Sequence, residues 1–560
     1  VVCFPAARGV PAAAGGVPSD EAIGRAPRFG RDGPRVVRYL LRRIMTELAH
    51  EDRLKKLAQL REAGVDPYPS RGVRGIPIAE ILAGAGTREA PGPLCGKKVV
   101  ASGRMLLLRD FGKLVFLPLR DQTGLVQVGL QKQKLEEWWP RRKLLDGGDW
   151  VAVEAEVGHS QKGEVTLWAD SVVLLAKSVA PPPEKWHGMV DKELRYRRRY
   201  VDLWTGEGVQ QVFESRSRIL ATIREVLREE GYLEVETPTL HPIAGGAAAR
   251  PFVTHHNALD SDFYLRIAPE LYLKRLLVGG LERVFEVSRN FRNEGLSQRH
   301  NPEFTMLELY EAHADYRRMM ELVERMFERC AMAANGTTKV RFRGGEYDLK
   351  APFQRLRYTE LFEQANGFAF DDHARTRRRA EELGIPLVDD PWKLMNEVFE
   401  ATVEDSLSGP VFVVDYPVQI CPLAKCSQDD PRIAERFEVY LAGMELGNAF
   451  SELNDPAEQA RRFEEQVATK DPEAPGEVDW DYVQALEYGM PPAGGLGVGV
   501  DRLVMVLTNQ DSIRDVLLFP AMKPERADSE EALLRGKARK LEEELALVRA
   551  KLDKLKAGAG

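Results

Sequence analysis

Two segments decide the fold. The first is Val284-Phe285-Glu286-Val287-Ser288-Arg289-Asn290-Phe291-Arg292-Asn293-Glu294-Gly295, an alternating strand running into a loop. The second is Glu303-Phe304-Thr305-Met306-Leu307-Glu308-Leu309-Tyr310, a return strand. Successive side chains on a strand point to opposite faces, so Glu308 and Tyr310 share one face. The same alternation carried past Phe291 puts Arg292 and Glu294 together. An arginine, several carboxylates, His300 and an aromatic ring are thus expected on one sheet surface. A guanidinium fork suits a phosphate or a carboxylate. Surface ion pairing alone would leave the alternation without purpose.

Downstream segments repeat the pattern. Glu438 and Glu445 lie seven apart, which would oppose them on an unbroken strand, but Ala442-Gly443 is expected to make a turn between them. Paired carboxylates near phosphates suit Mg²⁺. Asn448, Phe450 and Glu452 then share a face at period two. Gly495-Leu496-Gly497-Val498-Gly499-Val500-Asp501-Arg502 leads into a helical run. No Lys-Ser/Thr follows the glycines, so this is not a P-loop, and the spacing is not that of a dinucleotide fingerprint. The glycines let a strand-to-helix junction lie against a flat ligand, which Arg502 can cover from the other side.

Upstream, residues 209 to 230 read as an amphipathic helix through Val212, Ser215, Ile219, Ile223, Val226 and Leu227, stopped by Gly231. A strand over Tyr232–Glu236 runs into Thr237-Pro238, and Gly245-Gly246 allows close backbone approach to a ligand. His255-His256 diverge on a strand and lack the spacing of a metal site; Cys421 and Cys426, five apart, read as structural.

Residues 96 to 178 form a separate strand-rich unit. Strands are expected around Lys98–Met105, Leu114–Leu119, Val126–Val128, Trp150–Ala155 and Gly163–Leu167, with a helical segment between Gln131 and Leu145. Five strands with one helix in the middle is the order of an OB barrel, which presents bases with aromatic platforms. Arg104, Phe116, Gln127 and Glu164 are candidates for one binding face, although Phe116 also reads as core. Pro181-Pro182-Pro183 marks a rigid break. The basic run Arg195-Tyr196-Arg197-Arg198-Arg199-Tyr200 follows, either a solvated helix face or a hinge helix touching phosphates.

The chain has 560 residues, enough for several domains. No stretch approaches eighteen uninterrupted apolar residues, so no membrane helix is expected. A net charge of -7 excludes a polycation but not a local basic face for nucleic acid. Five cysteines, an odd number, argue against a disulfide scaffold and for a reducing compartment. Residues 1–44 are rich in Ala, Gly, Pro and Arg without core periodicity, and Met45 reads as the true start. Residues 45–95 open with a helix carrying Leu48, Leu54, Leu57 and Leu60, ending at Gly64. Residues 524–560 read as a charged helical tail with Leu534, Leu541, Leu545, Val548, Leu552 and Leu555 on one stripe.

These residues resemble the three motifs of the class II aminoacyl-tRNA synthetases, and most closely the bacterial-type lysine enzymes. Motif 1 resembles Gly231–Pro238, motif 2 Phe291–Gly295 with His300–Thr305, and motif 3 Gly497–Arg502. The more specific strings are Gly245–Phe252, Leu265-Arg266-Ile267-Ala268-Pro269-Glu270-Leu271-Tyr272 and Gly447–Asp455. The likeness runs from about Met45 to Pro524. It implies an α+β fold: an antiparallel six-stranded catalytic sheet with flanking helices over 185–523, and an N-terminal five-stranded OB-fold barrel over 96–178 that reads the anticodon. It also implies a cytoplasmic homodimer acting on ATP, L-lysine and tRNA(Lys), with Mg²⁺.

By position, the resemblance assigns ATP to Arg292, Glu294, His300, Asn301, Phe304, Glu438, Gly497 and Arg502. Phe304 and Arg502 would sandwich adenine, and Arg292 and Arg502 are the catalytic pair. Glu438 and Glu445 would hold the metal. Lysine would meet Gly246 and Glu270 at its α-amino group, Arg292 at its carboxylate, and Glu452 and Tyr310 at its ε-ammonium, with Glu308 nearby and Asn448 and Phe450 shaping the pocket. Arg104, Phe116, Gln127 and Glu164 would meet anticodon bases. Pro491-Pro492-Ala493-Gly494-Gly495 departs from the family, and its extra glycine is expected to loosen a loop.

Three alternatives differ in their requirements. An aspartyl or asparaginyl enzyme needs a cationic or amide-reading pocket rather than Glu270, Glu308 and Glu452. A paralogue that lysylates a protein would lack the OB domain. A non-catalytic RNA-binding paralogue would have lost Arg292, Glu445 or Arg502.

Overall fold

The computed structural model describes residues 49–183, 189–247, 249–469 and 476–524. The N-terminal extension and the charged C-terminal stripe lie outside them. The chain divides into two compact units, Val1–Glu184 and Lys185–Gly560. No helix among the described residues is long and apolar enough to cross a membrane.

The first unit opens with a helix over residues 49–62. Of the leucines expected on its inner face, Leu60 is buried but Leu54 is exposed. Arg53 is buried instead, donating to the carbonyls of Gly147, Ser178 and Ala180. The barrel comprises β1 (Lys98–Met105), a two-residue β2 (Arg109–Asp110), β3 (Leu114–Arg120), β4 (Leu125–Gln131), β5 (Trp150–His159) and β6 (Val165–Ala176). Its order is β1-β5-β6-β4-β3-β2, and pairing of β1 with β3 closes it. The alternation of β3 sends Val115, Leu117 and Leu119 into a core with Val128, Val153 and Leu167. The expected central helix is a 3₁₀ segment, Trp139–Leu144, shortened by Pro140.

The second unit is built on one sheet. Its strands are β7 (Leu233–Glu234), the small sheet β8 (Leu240–His241), β9 (Val253–His256) and β10 (Ser261–Leu265), then β11 (Arg283–Phe291) and β12 (Glu303–Ala312). A hairpin, β13 (Lys339–Phe342) and β14 (Gly345–Asp348), precedes β15 (Gln354–Arg357), β16 (Val411–Pro417), β17 (Ile433–Leu441), β18 (Met444–Ser451) and β19 (Ala493–Gly499). The main sheet runs β15-β16-β17-β18-β19-β12-β11-β7. Its six central strands are antiparallel, as expected, and β15 and β7 extend it in parallel at the two edges.

One face of this sheet is core. Leu307, Leu309, Leu496, Val498 and Phe437 pack there against Ile219, Ile223 and Val226 of helix Val209–Glu229 and Met319, Val323 and Phe327 of helix Tyr316–Asn335. The alternate residues therefore face the other side. On β19 these are Gly495, Gly497 and Gly499, a surface with no side chains. The extra glycine does not loosen a loop: Gly494 lies within β19, paired with Ser451 on one side and Glu311 on the other.

Candidate active site

The site lies on the glycine face of the sheet. Ala442 and Gly443 both take positive φ, 52° and 66°, and turn β17 back into β18. The register shifts between the pairs Val439–Gly447 and Tyr440–Glu445. That shift changes the phase of β18, so Glu445 joins Asn448, Phe450 and Glu452 on the face that also carries Glu438. The odd spacing of the two glutamates is resolved by a turn and a bulge together.

A cavity of about 240 Å³ is lined by Arg292, Glu294, His300, Asn301, Phe304, Glu438, Glu445, Gly497 and Arg502. All eight residues expected at ATP and both expected at the metal therefore come together. Arg292 and Glu294 do so from a loop, since β11 ends at Phe291. The Arg292 guanidinium lies over the Phe304 ring at 5.1 Å. Arg502 donates to Glu445 Oε2 at 3.0 Å and approaches His300 Nε2 at 3.1 Å. Burial, with Arg502 and Arg292 nearby, holds the His300 imidazole below its usual range. Glu438 Oε2 accepts from Tyr416 at 2.7 Å and Tyr440 at 2.6 Å, which fixes its orientation. Two hard carboxylates on one cavity wall suit a divalent cation that keeps waters and phosphate oxygens as its other ligands.

A second group sits deeper. Glu270, Glu308, Tyr310 and Glu452 are all buried. Glu270 starts helix Glu270–Val278, Glu308 and Tyr310 lie on β12, and Glu452 follows β18. Opposite Tyr310 and Glu308 in register stand Gly495 and Gly497. A Cβ on Gly495 would overlap Glu452 Oε1 and come 2.5 Å from Tyr310 Cε1, so the pocket requires glycine there. Gly246, at φ 88°, approaches Glu270 and Ala268. Burial, reinforced by Glu270, pushes the Glu308 carboxyl up to about 8 despite Tyr310 and Arg292; burial also raises Glu452, opposed by Lys274. A cavity of about 930 Å³, lined by Gly246, Glu270, Arg292, Asn448 and Phe450 among others, reaches this group at Glu270.

Several residues here were given no role by the sequence. Lys274 donates to Glu270 Oε1 at 2.6 Å and pairs with Glu452. Asp501 accepts from the Thr305 amide at 2.8 Å and pairs with Arg216 at 2.6 Å. That ties the motif 3 helix to the motif 2 strand and to the helix preceding motif 1. Arg266 holds Glu286 at 2.6 Å, directly across from Glu308. The basic run is consumed internally: Arg195 and Arg199 pair with Asp202, Arg197 pairs with Glu193, and Arg199 caps the carbonyls of Arg514, Leu517 and Leu518. These three arginines are thus engaged within the unit. Cys421 and Cys426 accept from Arg436 and Arg462, in keeping with structural roles.

In the barrel, Phe116 is half-buried and outside the core cluster. Its ring meets Phe111 at 6.3 Å and Trp168 at 6.0 Å. Gly129 separates Phe116 and Trp168 in register, and a Cβ there would strike the Trp168 ring at 2.6 Å. The two extra aromatics were not legible as partners of Phe116 until the strand register was known. Gln127 donates to Thr166 at 2.9 Å on the adjoining strand. Arg104 donates to the Gly148 carbonyl and lies 5.0 Å from the Trp150 ring, and Glu164 is exposed just before β6.

Fold and site together define a class II aminoacyl-tRNA synthetase. The family "tRNA synthetases class II (D, K and N)" matches residues 191–523, and "OB-fold nucleic acid binding domain" matches residues 99–175. The lysine–tRNA ligase of Carboxydothermus hydrogenoformans is 49% identical over 480 residues, covering 84% of this chain and 97% of its own length. The lysine–tRNA ligases of Moorella thermoacetica, at 51% over 481 residues, and Magnetococcus marinus, at 48% over 480, cover 84% of this chain and 97% and 96% of their own lengths. The chain belongs to the lysine–tRNA ligase family of class II synthetases, and its activity is the ATP-dependent ligation of lysine to tRNA.

Proposed function

We propose that the buried carboxylates select lysine and that Arg292 joins the two substrates. The observation that carries this reading is the set Glu270, Glu308 and Glu452 buried close enough to repel one another, with Arg292 lining both the cavity that reaches Glu270 and the cavity of Glu438 and Arg502. The α-ammonium of lysine pairs with Glu270 beside the Gly246 carbonyl, and the ε-ammonium with Glu452 and Tyr310, near Glu308. Asn448 and Phe450 bound the aliphatic chain. Adenine lies between Phe304 and Arg502, with Glu294, His300, Asn301 and Gly497 around the nucleotide. Glu438 and Glu445 would hold Mg²⁺, which neutralises phosphate charge when bound.

The lysine carboxylate attacks the α-phosphorus in line and pyrophosphate departs, leaving lysyl-adenylate. No side-chain nucleophile takes part. Arg292 orients the carboxylate and stabilises the charge that develops on the phosphate oxygens. A terminal ribose hydroxyl of the tRNA then attacks the mixed anhydride and AMP leaves.

The barrel's platform of Phe116, with Arg104, Gln127 and Glu164, is proposed to read the anticodon. Phe111 and Trp168 beside it support this reading, because stacking on aromatic faces is worth about 1–3 kcal/mol per base. Phe116→Ala is therefore expected to lower kcat/KM for tRNA charging by roughly tenfold or more while lysine-dependent ATP–pyrophosphate exchange is unchanged. Equal loss in both assays would remove the assignment. A homodimer is proposed on the exposed apolar side chains of the edge strand β7 and the small sheet, Leu233, Leu240 and Val253. Sedimentation at twice the chain mass is the expected result, and a monomer at micromolar concentration would contradict it. A cytoplasmic setting is proposed because the four described cysteines are free thiols.

A further inference from the structure

Lys274 stands out among the side chains to which no role has been given. It lies one helical turn after Glu270, with no exposed surface. Its ammonium donates to Glu270 Oε1 at 2.6 Å and pairs with Glu452 Oε2. It also lies 5.2 Å from the Phe450 ring centroid and 5.8 Å from that of Tyr310. These are the surroundings proposed above for the substrate's own ammonium groups. The chain thus places a lysine of its own between the two carboxylates meant for the substrate.

Lys274 uses only one oxygen of each partner. Neither buried oxygen of Glu452 has a well-formed hydrogen bond; Oε2 meets Lys274 as an ion pair, and Oε1 lacks even that. A buried polar atom left unsatisfied costs free energy, so such an atom beside two further buried carboxylates marks where a cationic ligand group belongs. Charge counting agrees. Burial favours the neutral forms of Glu308 and Glu452 in the free pocket, so the count applies with ammonium groups bound: Glu270, Glu308 and Glu452 then carry three negative charges, and Lys274 cancels one. Two remain, matching the two ammonium groups of a lysine whose carboxylate is taken by Arg292. A neutral-side-chain amino acid brings one ammonium and leaves a buried carboxylate unpaired, which discriminates strongly.

We infer that Lys274 is a positioning and specificity residue: it bridges Glu270 and Glu452 from behind, stays in place when substrate binds, and sets the residual pocket charge to that of a diamine. This rests on the assignment of Glu270 and Glu452 to lysine. Burial alone would lower the Lys274 pKa, but Glu270 and Glu452 outweigh it and keep the group protonated.

The test is lysine-dependent ATP–pyrophosphate exchange by the full chain carrying Lys274→Met, Lys274→Arg, Lys274→Ala or Glu452→Gln. Lys274→Met is expected to raise the KM for lysine by more than about tenfold and the KM for ATP by less than about threefold, a split that removal of a ground-state binding element produces. Lys274→Arg keeps the charge but alters the spacing of the two carboxylates, and a smaller rise confined to lysine is expected. In Lys274→Ala, added ethylammonium should restore much of the lysine affinity, whereas the neutral analogue ethanol should not. An unchanged or lower KM for lysine in Lys274→Met, or equal rises for lysine and ATP, would overturn the inference. Should Lys274→Met not fold, an unchanged lysine KM in Lys274→Arg overturns it equally. If Glu452→Gln also leaves the lysine KM unchanged, the pocket assignment itself fails. If only the Lys274 variants are silent, the bridge alone fails.

Discussion

Glu452→Gln is expected to raise the KM for lysine on the order of a hundredfold or more, while the KM for ATP shifts by less than about threefold. Removing one member of a buried ion pair costs roughly 3–5 kcal/mol, because the remaining charge stays desolvated and unpaired. In the proposed pocket that charge is the ε-ammonium of the substrate. Glutamine keeps the shape of the side chain, so the packing of Gly495 and Tyr310 against it is retained. The effect is confined to lysine because Glu452 does not line the cavity that holds Phe304, Glu438 and Arg502. Lysine-dependent exchange measured over both substrates decides the matter, and equal rises for lysine and ATP would refute a lysine-specific role.

The parts of this site legible in the sequence are those set by strand alternation. Glu308 with Tyr310, and Asn448 with Phe450 and Glu452, share faces because side chains on an unbroken strand repeat every two residues. The glycine row of β19 is visible from its spacing as room for a flat ligand, but the need for glycine at Gly495 in particular is not. Only the register, with Gly495 against Tyr310, shows that the missing Cβ of Gly495 makes room for the Glu452 carboxylate and the Tyr310 ring. Glu438 and Glu445 needed a bulge to share a face, and a one-residue shift has no signature at the level of residue type. Arg292 and Glu294 reached the site from a loop, where alternation says nothing.

Partners distant in sequence were hidden for a different reason. Asp501 joins Thr305 and Arg216 across 196 residues in one case. Nothing in Leu273-Lys274-Arg275 distinguishes a buried bridging lysine from a solvated one until Glu452 is brought to it from another strand. The basic run at Arg195–Tyr200 is the converse case. Its charge pattern suggested a phosphate contact, but nearby acidic side chains and helix-end carbonyls take up Arg195, Arg197 and Arg199.

Arg292→Ala is expected to lower kcat for lysyl-adenylate formation by about two to three orders of magnitude, with a smaller rise in the KM for lysine. Arg292 lines both the cavity that reaches Glu270 and the cavity of Glu438 and Arg502, so in the proposed arrangement it stands where carboxylate and phosphate meet. Its Nε is buried without a hydrogen-bond partner, and burial lowers its pKa against the pull of Glu294 and Glu445. An arginine held with an unused donor gains most when negative charge builds in front of it, as it does on the α-phosphate during attack. Arg292→Lys should retain little more activity than the alanine variant, because one ammonium cannot serve a carboxylate and a phosphate with a planar fork of donors. Single-turnover formation of the adenylate, measured apart from transfer to tRNA, separates the two steps. A variant that forms adenylate at the normal rate but fails to transfer it would move Arg292 from the first reaction to the second.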